Sequence, residues 1–203
     1  MLSPSISDTV DFFQPKSTEP EVLNQIIEDL KVASSFAYTD QYKSIPEYWK
    51  GRANKYSIMA LMADIYLWQG KYQECVTYCD SIINTGQFSL EPSNNWFSLY
   101  YPGNSMVESL FEIQYSSSYT SQENPIYDDV IRLNVSNMNP TENLLTLFET
   151  SDIRKANSGN QVTPFRKYNC KSVTGLTRSA TEKDANFIYY RFADILFFKS
   201  RST

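Results

Sequence analysis

The chain has 203 residues, 41% of them hydrophobic and 20% charged, which is typical of a folded domain with a sizeable core and excludes disorder of the whole chain. Its formal net charge of −5 provides no basic field to attract nucleic acid or anionic lipid. It contains no histidine, which removes the commonest general base, the usual catalytic triads and most zinc sites. We therefore expect no catalytic residues, no cofactor and no bound metal.

Residues 1–17 mix serine and proline with a few aromatic residues and predict an irregular lead-in. They have neither the basic start nor the long apolar stretch of a signal peptide, and no later apolar run is long enough to span a bilayer. If the mature protein is exported, we expect its export signal to be missing from this sequence.

An amphipathic helix is predicted from Thr18. Thr18 and Glu21 have the spacing of a capping box, and Pro20 is tolerated in a first turn, where backbone N–H groups lack helical partners. The apolar residues that follow recur at helical spacing, namely Leu23, Ile26, Ile27, Leu30 and Ala33. Such a helix needs a partner for its apolar face.

A pair of antiparallel helices is predicted next, the first over Arg52–Trp68 and the second from Tyr72 to a stop at Gly86. Gly70 lies in the connecting turn, where it suits a left-handed C-cap. The pair resembles one tetratricopeptide unit, which must stack on neighbours to bury its outer faces. We expect Trp68 in the core of this hairpin and Cys75 and Cys79 as small core residues on one helix face.

The second half of the chain is predicted to be rich in loops. Residues 87–105 predict an ordered aromatic loop, and Ser109–Tyr115 is the best strand candidate, with a second short extended segment at Val130–Val135. Thr141 is a plausible N-cap for a short helix. Residues 151–186 predict irregular structure, and Phe187–Phe198 predicts a final helix.

Several local patterns occur in an order that resembles the SusD/RagB family of outer-membrane nutrient-binding lipoproteins. The most specific is the helical pair with its Gly-Arg start and its closing Gly-x-Phe-x-Leu, and the Arg-x-Ala-Asp-Ile-Leu segment near the end is another. The resemblance covers roughly Glu21 to Phe198. Its segments are Ile26–Ala33, Gly51–Leu90, Met106–Tyr115, Pro140–Lys155 and Asn186–Phe198.

The resemblance implies a mainly α fold, with tetratricopeptide-like helical hairpins, a minor β-hairpin and long ordered loops. We expect one SusD-like domain over residues 1–203, with a helical part at 18–86 and a loop-rich, ligand-side part at 87–203. Family members are longer at both ends, so the chain is expected to be truncated at both. They begin with a lipoprotein signal and a lipid-anchored cysteine, which are missing from this chain.

The same resemblance implies a function without catalysis. The expected role is cell-surface binding of oligosaccharide or polysaccharide, or of peptide in some branches, for delivery to a TonB-dependent transporter of the SusC type. The protein would lie on the outer membrane, held only by its N-terminal lipid. The alternative is a helical-repeat adaptor that binds a protein partner and no glycan.

Sugar binding requires exposed aromatic rings beside polar side chains, since the rings stack on the apolar face of a sugar. The aromatic loop after Gly86 meets this requirement with Trp96, Tyr100 and Tyr101 next to Asn95, and loops often carry binding residues. Trp49, just before the Gly-Arg start, is a further candidate. The competing interpretation is that these rings only pack the loop onto the helices.

A glycoside hydrolase is only a minor alternative. Such an enzyme needs two carboxyl groups that face one glycosidic bond. Asp128 and Asp129 are adjacent, as are Glu28 and Asp29, and adjacent side chains diverge in extended or helical backbone. Asp128 and Asp129 also lack the ligand spacing of an EF-hand, so a solvated turn is the preferred interpretation over a calcium site.

Overall fold

The computed structural model describes residues 15–118, 122–126, 141–157, 166–172, 176–179 and 181–203. Within them the fold is mainly helical, with a two-stranded antiparallel sheet. This confirms the predicted fold class. The elements are α1 (Glu19–Phe36), α2 (Pro46–Gly51), α3 (Lys55–Trp68), α4 (Tyr72–Ile83), a 3₁₀ turn (Trp96–Leu99), β1 (Ser109–Ile113), α5 (Glu142–Thr146), α6 (Ile153–Asn157), α7 (Arg166–Asn169), β2 (Phe187–Arg191) and α8 (Phe192–Ser202).

The chain folds as two compact units. The first, the helical unit, contains α1, α3, α4 and the last part of α8, and the second, the loop unit, contains α2, the two strands and α5 to α7. Residues 40–53 therefore belong to the loop unit, and residues 195–203 belong to the helical unit. The expected assignment of residues 18–86 to scaffold and 87–203 to ligand stays a prediction.

In the helical unit, α1 begins as its capping pattern predicts and packs on α3. The Glu21 carboxylate accepts a hydrogen bond from the backbone N–H of Thr18 at 2.8 Å. This bond to the charged form lowers the pKa of Glu21. The bond also gives a partner to a backbone N–H group at the helix start.

The predicted helical hairpin is present as α3 and α4, which pack against each other. Gly70 in the turn has φ +69°, the left-handed conformation that glycine adopts without steric cost. Cys75 and Cys79 are fully buried, and the ring of Tyr66 stacks on Tyr78 at 5.6 Å between centroids. These contacts confirm the predicted hairpin and its cysteine face.

Two details of the hairpin differ from prediction. The helix α3 begins at Lys55 rather than Arg52, because the side chain of Asn54 caps it by accepting a hydrogen bond from the N–H of Ser57 at 2.9 Å. Trp68 is 75% exposed, so its predicted place in the core is wrong. Because α3 is apolar on more than one face, its sequence did not define which side is covered. The Trp68 indole instead donates a hydrogen bond to Glu19 at 2.8 Å.

The loop unit is organised around the sheet, in which β1 runs antiparallel to β2. The strand β1 was predicted, but the expectation of a single helix over Phe187–Phe198 is wrong, because Phe187–Arg191 is the strand β2 and the helix begins only at Phe192. Short apolar runs are ambiguous between strand and helix, and here the hydrogen-bonding edge of β1 selects the strand. Asp194 then accepts a hydrogen bond from the backbone N–H of Arg191 at 3.0 Å, at the start of α8.

The short helix α2 lies against β1 and was not predicted as a separate element. Its residue Trp49 is fully buried and stacks on Phe88, with 6.0 Å between centroids. Gly51 ends α2 where the chain passes close to Gln114, and a Cβ atom there would lie 2.4 Å from the Gln114 Cγ. The glycine of the Gly-Arg start is thus explained by close packing.

The region between β1 and β2 contains short helices. Thr141 caps α5 by accepting a hydrogen bond from the N–H of Leu144 at 3.3 Å, as predicted. The region expected to be irregular contains the short helices α6 and α7. The predicted segment Val130–Val135 and the pair Asp128 and Asp129 lie outside the described residues.

Candidate functional site

An open cleft of about 430 Å³ lies in the loop unit, beside the aromatic loop that follows α4. Its lining combines aromatic rings with charged side chains, which suits a polar ligand with an apolar face. Its aromatic residues are Trp96 and Tyr100, its acids are Glu91 and Glu108, and its cations are Arg154, Lys167 and Arg191.

The 3₁₀ turn places the two aromatic rings. The N–H of Ser98 donates to the carbonyl of Asn95, and the N–H of Tyr100 to that of Phe97, both at 2.9 Å. Tyr100 belongs to the buried cluster that anchors the turn, whereas Trp96 is half-buried and packs edge-on against Tyr100, with 5.8 Å between centroids. Trp96 therefore keeps part of its ring free on the cleft.

The predicted binding residues do not form one group. Trp96 and Tyr100 line the cleft, although only 7% of Tyr100 is exposed. Asn95 is exposed and lines a neighbouring cleft of about 360 Å³. Tyr101 lines neither cleft, and the guanidinium of Arg178 lies 5.2 Å from its ring centre.

Trp49 presents no ring surface to a ligand, because none of it is exposed. Its ring is in contact with neighbours in the loop unit. One neighbour is Phe88, and another is the ammonium of Lys50, which lies 3.6 Å from the Trp49 ring centre. In this structure Trp49 contributes to the core of the loop unit, so its proposed ligand role has no support from its placement.

The two glutamates of the cleft are held by hydrogen bonds. Glu108 accepts from the backbone N–H of Glu91 at 2.6 Å and from the guanidinium of Arg191 at 3.4 Å. Glu91 in turn accepts from the hydroxyl of Ser105 at 2.5 Å and from the amide of Asn95 at 2.9 Å. Burial raises the pKa of Glu108, and its hydrogen bond from the Glu91 backbone opposes that shift.

The three cations of the cleft come from three elements. Arg154, in α6, holds Asp152 with two near-parallel hydrogen bonds of 2.9 and 2.6 Å. These bonds lower the pKa of Asp152 to about 2. Lys167 belongs to α7 and Arg191 to the end of β2. Arg154 and Arg191 lie in two of the SusD-like sequence segments, whereas Lys167 was not predicted, since no local pattern links these three parts of the chain.

Below the aromatic loop, a buried network centres on Glu112. Its carboxylate accepts from the backbone N–H of Asn104 at 2.9 Å, from the amide of Asn186 at 3.1 Å and from the hydroxyl of Ser109. Asn104 has a positive φ of 54° and exchanges amide hydrogen bonds with Gln114 at 2.7 and 3.1 Å. The network connects the loop that carries Tyr101 to the sheet.

Among the described residues, no three histidine, cysteine, aspartate or glutamate side chains come together in a way that could hold a metal ion. In the same part of the chain, no helix is both long enough and apolar enough to cross a membrane.

Comparison with known proteins identifies the fold. No protein-family model and no curated protein matches the chain. A SusD superfamily protein from Bacteroides thetaiotaomicron matches it with a TM-score of 0.69 and 18% identity, over 92% of this chain and 43% of that one. A laminarin-binding SusD-like protein matches with a TM-score of 0.66 and 20% identity, over 92% and 50%. The surface glycan-binding protein A of Bacteroides thetaiotaomicron, in complex with laminarihexaose, matches with a TM-score of 0.62 and 14% identity, over 90% and 50%.

The chain therefore has the SusD fold, as its sequence patterns implied. The match runs through nearly all of this chain, but the chain spans half or less of the length of these three structures.

Proposed function

We propose that this protein is a non-catalytic binding protein of the SusD type, which holds an oligosaccharide in the cleft of the loop unit. In this role it acts at the cell surface and delivers the glycan to a TonB-dependent transporter of the SusC type in the outer membrane. The observation that carries the proposal is the partly exposed side chain of Trp96, which lines an open cleft together with hydrogen-bonding side chains of both charges. Two proteins of the same fold are a laminarin-binding protein and a laminarihexaose complex.

The cleft matches the chemistry of a sugar. The C–H face of a sugar ring packs on an aromatic side chain, which Trp96 provides, and the hydroxyl groups at its edge both donate and accept hydrogen bonds. Glutamate oxygens accept such bonds, and the ammonium of Lys167 donates them. A ligand site of this kind combines apolar contact with a few polar groups that set orientation.

The state of the two glutamates supports binding without hydrolysis. A glycosidase needs one carboxyl group as the acid and a second as nucleophile or base. Glu108 is 3% exposed and accepts bonds from a backbone N–H and from Arg191, while Glu91 accepts from Ser105 and Asn95. Carboxylates engaged in this way are better placed to orient a ligand than to exchange protons with it. Release of reducing sugar from a polysaccharide by the pure protein would contradict this part of the proposal.

The helical-repeat adaptor remains the second candidate, and the exposed aromatic residues of the helical unit favour it. Phe36 is 86% exposed and Trp68 is 75% exposed, as expected where a protein partner docks. In the SusD-type proposal this unit faces the transporter. Glycan binding distinguishes the two candidates, since an adaptor binds no glycan.

The test is titration calorimetry with laminarihexaose and a panel of other oligosaccharides. We expect Trp96→Ala to weaken binding at least tenfold, since removing a central aromatic contact typically costs about 2 kcal/mol or more. Trp68→Ala is the matched control, because it removes another exposed tryptophan that does not line the cleft, and it should bind as the unchanged protein does. Circular dichroism should show both variants folded.

Two results would overturn the proposal. One is that no glycan in the panel binds to the unchanged protein, which would favour the adaptor. The other is that Trp96→Ala binds glycan as tightly as Trp68→Ala does, which would place the ligand elsewhere.

A further inference from the structure

The cations of the cleft differ in how far the protein itself neutralises them. Arg154 is bonded through two nitrogens to Asp152. Arg191 has a longer contact of 3.4 Å with Glu108, and its side chain is 35% exposed. Each arginine thus has a carboxylate partner, although the second pairing is loose.

Lys167 is in a different position. The structure gives its ammonium no ion pair and no hydrogen bond among the described residues, and its one charge-related contact is with the ring of Tyr100, whose centre lies 5.6 Å away. The side chain is nonetheless half-buried. An ammonium that has lost part of its water and gained no anion is unfavourable unless a partner arrives.

The electrostatic surroundings of Lys167 are positive. Burial lowers the pKa of Lys167, and the charges of Arg191 and Arg154 lower it further. Both guanidinium groups therefore act on the same small region of the cleft. The neighbouring carboxylates of Asp152, Glu91 and Glu108 already accept hydrogen bonds from protein groups.

From this arrangement we infer that the cleft selects an anionic glycan, with a carboxylate or sulfate group of the sugar bound by Lys167 and Arg191 and the sugar ring against Trp96. The inference rests on the proposed function and names the substrate class of that site. A carboxylate and a sulfate ester share the required chemistry, since both offer several acceptor oxygens to ammonium and guanidinium donors. No carboxylate of the described residues pairs with Lys167, so a neutral sugar adds no counter-charge to it.

The experiment compares three ligands of similar length by titration calorimetry: neutral laminarihexaose, an oligogalacturonate and a sulfated oligosaccharide. We expect at least one of the two anionic ligands to bind tenfold or more tightly than laminarihexaose, as charge-assisted hydrogen bonds imply. The two anionic arms separate a carboxylate from a sulfate. Salt screens the attraction between opposite charges. The affinity for the anionic ligand should therefore fall as ionic strength rises, and the affinity for the neutral ligand should not.

Lys167→Met should weaken the preferred anionic ligand at least about tenfold more than it weakens laminarihexaose, whereas Lys167→Arg should retain the preference because it keeps the charge. The matched control is Lys155→Met, since Lys155 is an exposed lysine of α6 that does not line the cleft. Equal binding of neutral and anionic ligands would overturn the inference while leaving the proposed function intact. A Lys167→Met variant that weakens all ligands equally would also overturn it, and binding of no glycan at all would reject both proposals.

Discussion

Replacing Glu112 with alanine is expected to lower the free energy of unfolding by about 3–5 kcal/mol, the range typical when one member of a buried charged network is removed. Glu112 is fully buried and is the acceptor for three donors, which belong to Asn104, Ser109 and Asn186. Without it, these buried donors lose their partner, and each unsatisfied group costs roughly 1–3 kcal/mol. The charge of Glu112 also stabilises the nearby ammonium of Lys50, so that ammonium would be less compensated.

Urea unfolding followed by circular dichroism measures this change. Glu112→Gln keeps one acceptor oxygen and should therefore lose less stability than the alanine variant. Glu47→Ala is the control, because Glu47 is an exposed residue of α2 and its removal should change stability by no more than about 0.5 kcal/mol. If Glu112→Ala were as stable as Glu47→Ala, the buried network would not hold the loop unit together.

A second large effect is expected at Lys50, which is fully buried in the loop unit. Burial lowers the pKa of its ammonium from 10.5 to about 7, with the charge of Glu112 opposing the shift and that of Lys43 adding to it. Between these two pKa values the unfolded chain binds a proton that the folded chain has released. The contribution of Lys50 to stability therefore rises with pH from about 7 to about 10.5, by up to roughly 1.4 kcal/mol per pH unit, and is lost as the pH falls through 7.

Lys50→Met should remove this dependence on pH. At pH 7 we expect the variant to be as stable as the unchanged protein or more stable, by up to about 2 kcal/mol, since an apolar side chain of similar length replaces a buried charge. Other groups also titrate at alkaline pH. Burial raises the pKa of Cys79 to about 12, so its contribution to stability falls as the pH rises above 9. The informative quantity is thus the difference between the two proteins, measured by urea unfolding from pH 6 to pH 9.

The contacts of the Lys50 ammonium define the outcome that would contradict this prediction. The Lys50 ammonium donates hydrogen bonds to the backbone carbonyls of Ser109 and, at 3.3 Å, Met106, and lies 3.6 Å from the Trp49 ring centre. These contacts favour the charged form. If Lys50→Met were less stable at pH 7 and its difference from the unchanged protein did not vary with pH, the contacts would outweigh burial and Lys50 would stay charged.

Much of the fold was predictable because its signals are local. The Thr18 cap, the left-handed turn at Gly70 and the packing face of α4 each depend on residues within a few positions of one another, where backbone geometry dominates. The strand β2 was not predictable in this way. Its residues form an apolar run compatible with either structure, and the distant strand β1 decides the outcome by supplying hydrogen-bond partners.

The candidate site was predictable only in part. The aromatic loop identified Trp96 and Tyr100, because ring-rich loops with few regular elements are recognisable in a sequence. Whether a given ring is exposed was not predictable from the sequence, as the two other tryptophans show. Trp49 was a candidate for ligand contact and is buried, while Trp68 was expected in the core and is exposed. A tryptophan suits both environments, so its neighbours in space determine which it occupies.

By itself, the sequence determined the helical hairpin with its turn at Gly70, the caps at Thr18 and Thr141, the strand β1 and the resemblance to the SusD fold, because each depends on residue types at short and regular spacing. The tertiary structure alone decided which rings face the cleft and which charges meet there. Glu91, Glu108, Arg154, Lys167 and Arg191 come from separate segments of the chain. Their proximity, and the absence of a carboxylate partner for Lys167 among the described residues, follow from packing between distant elements, which short-range patterns do not encode.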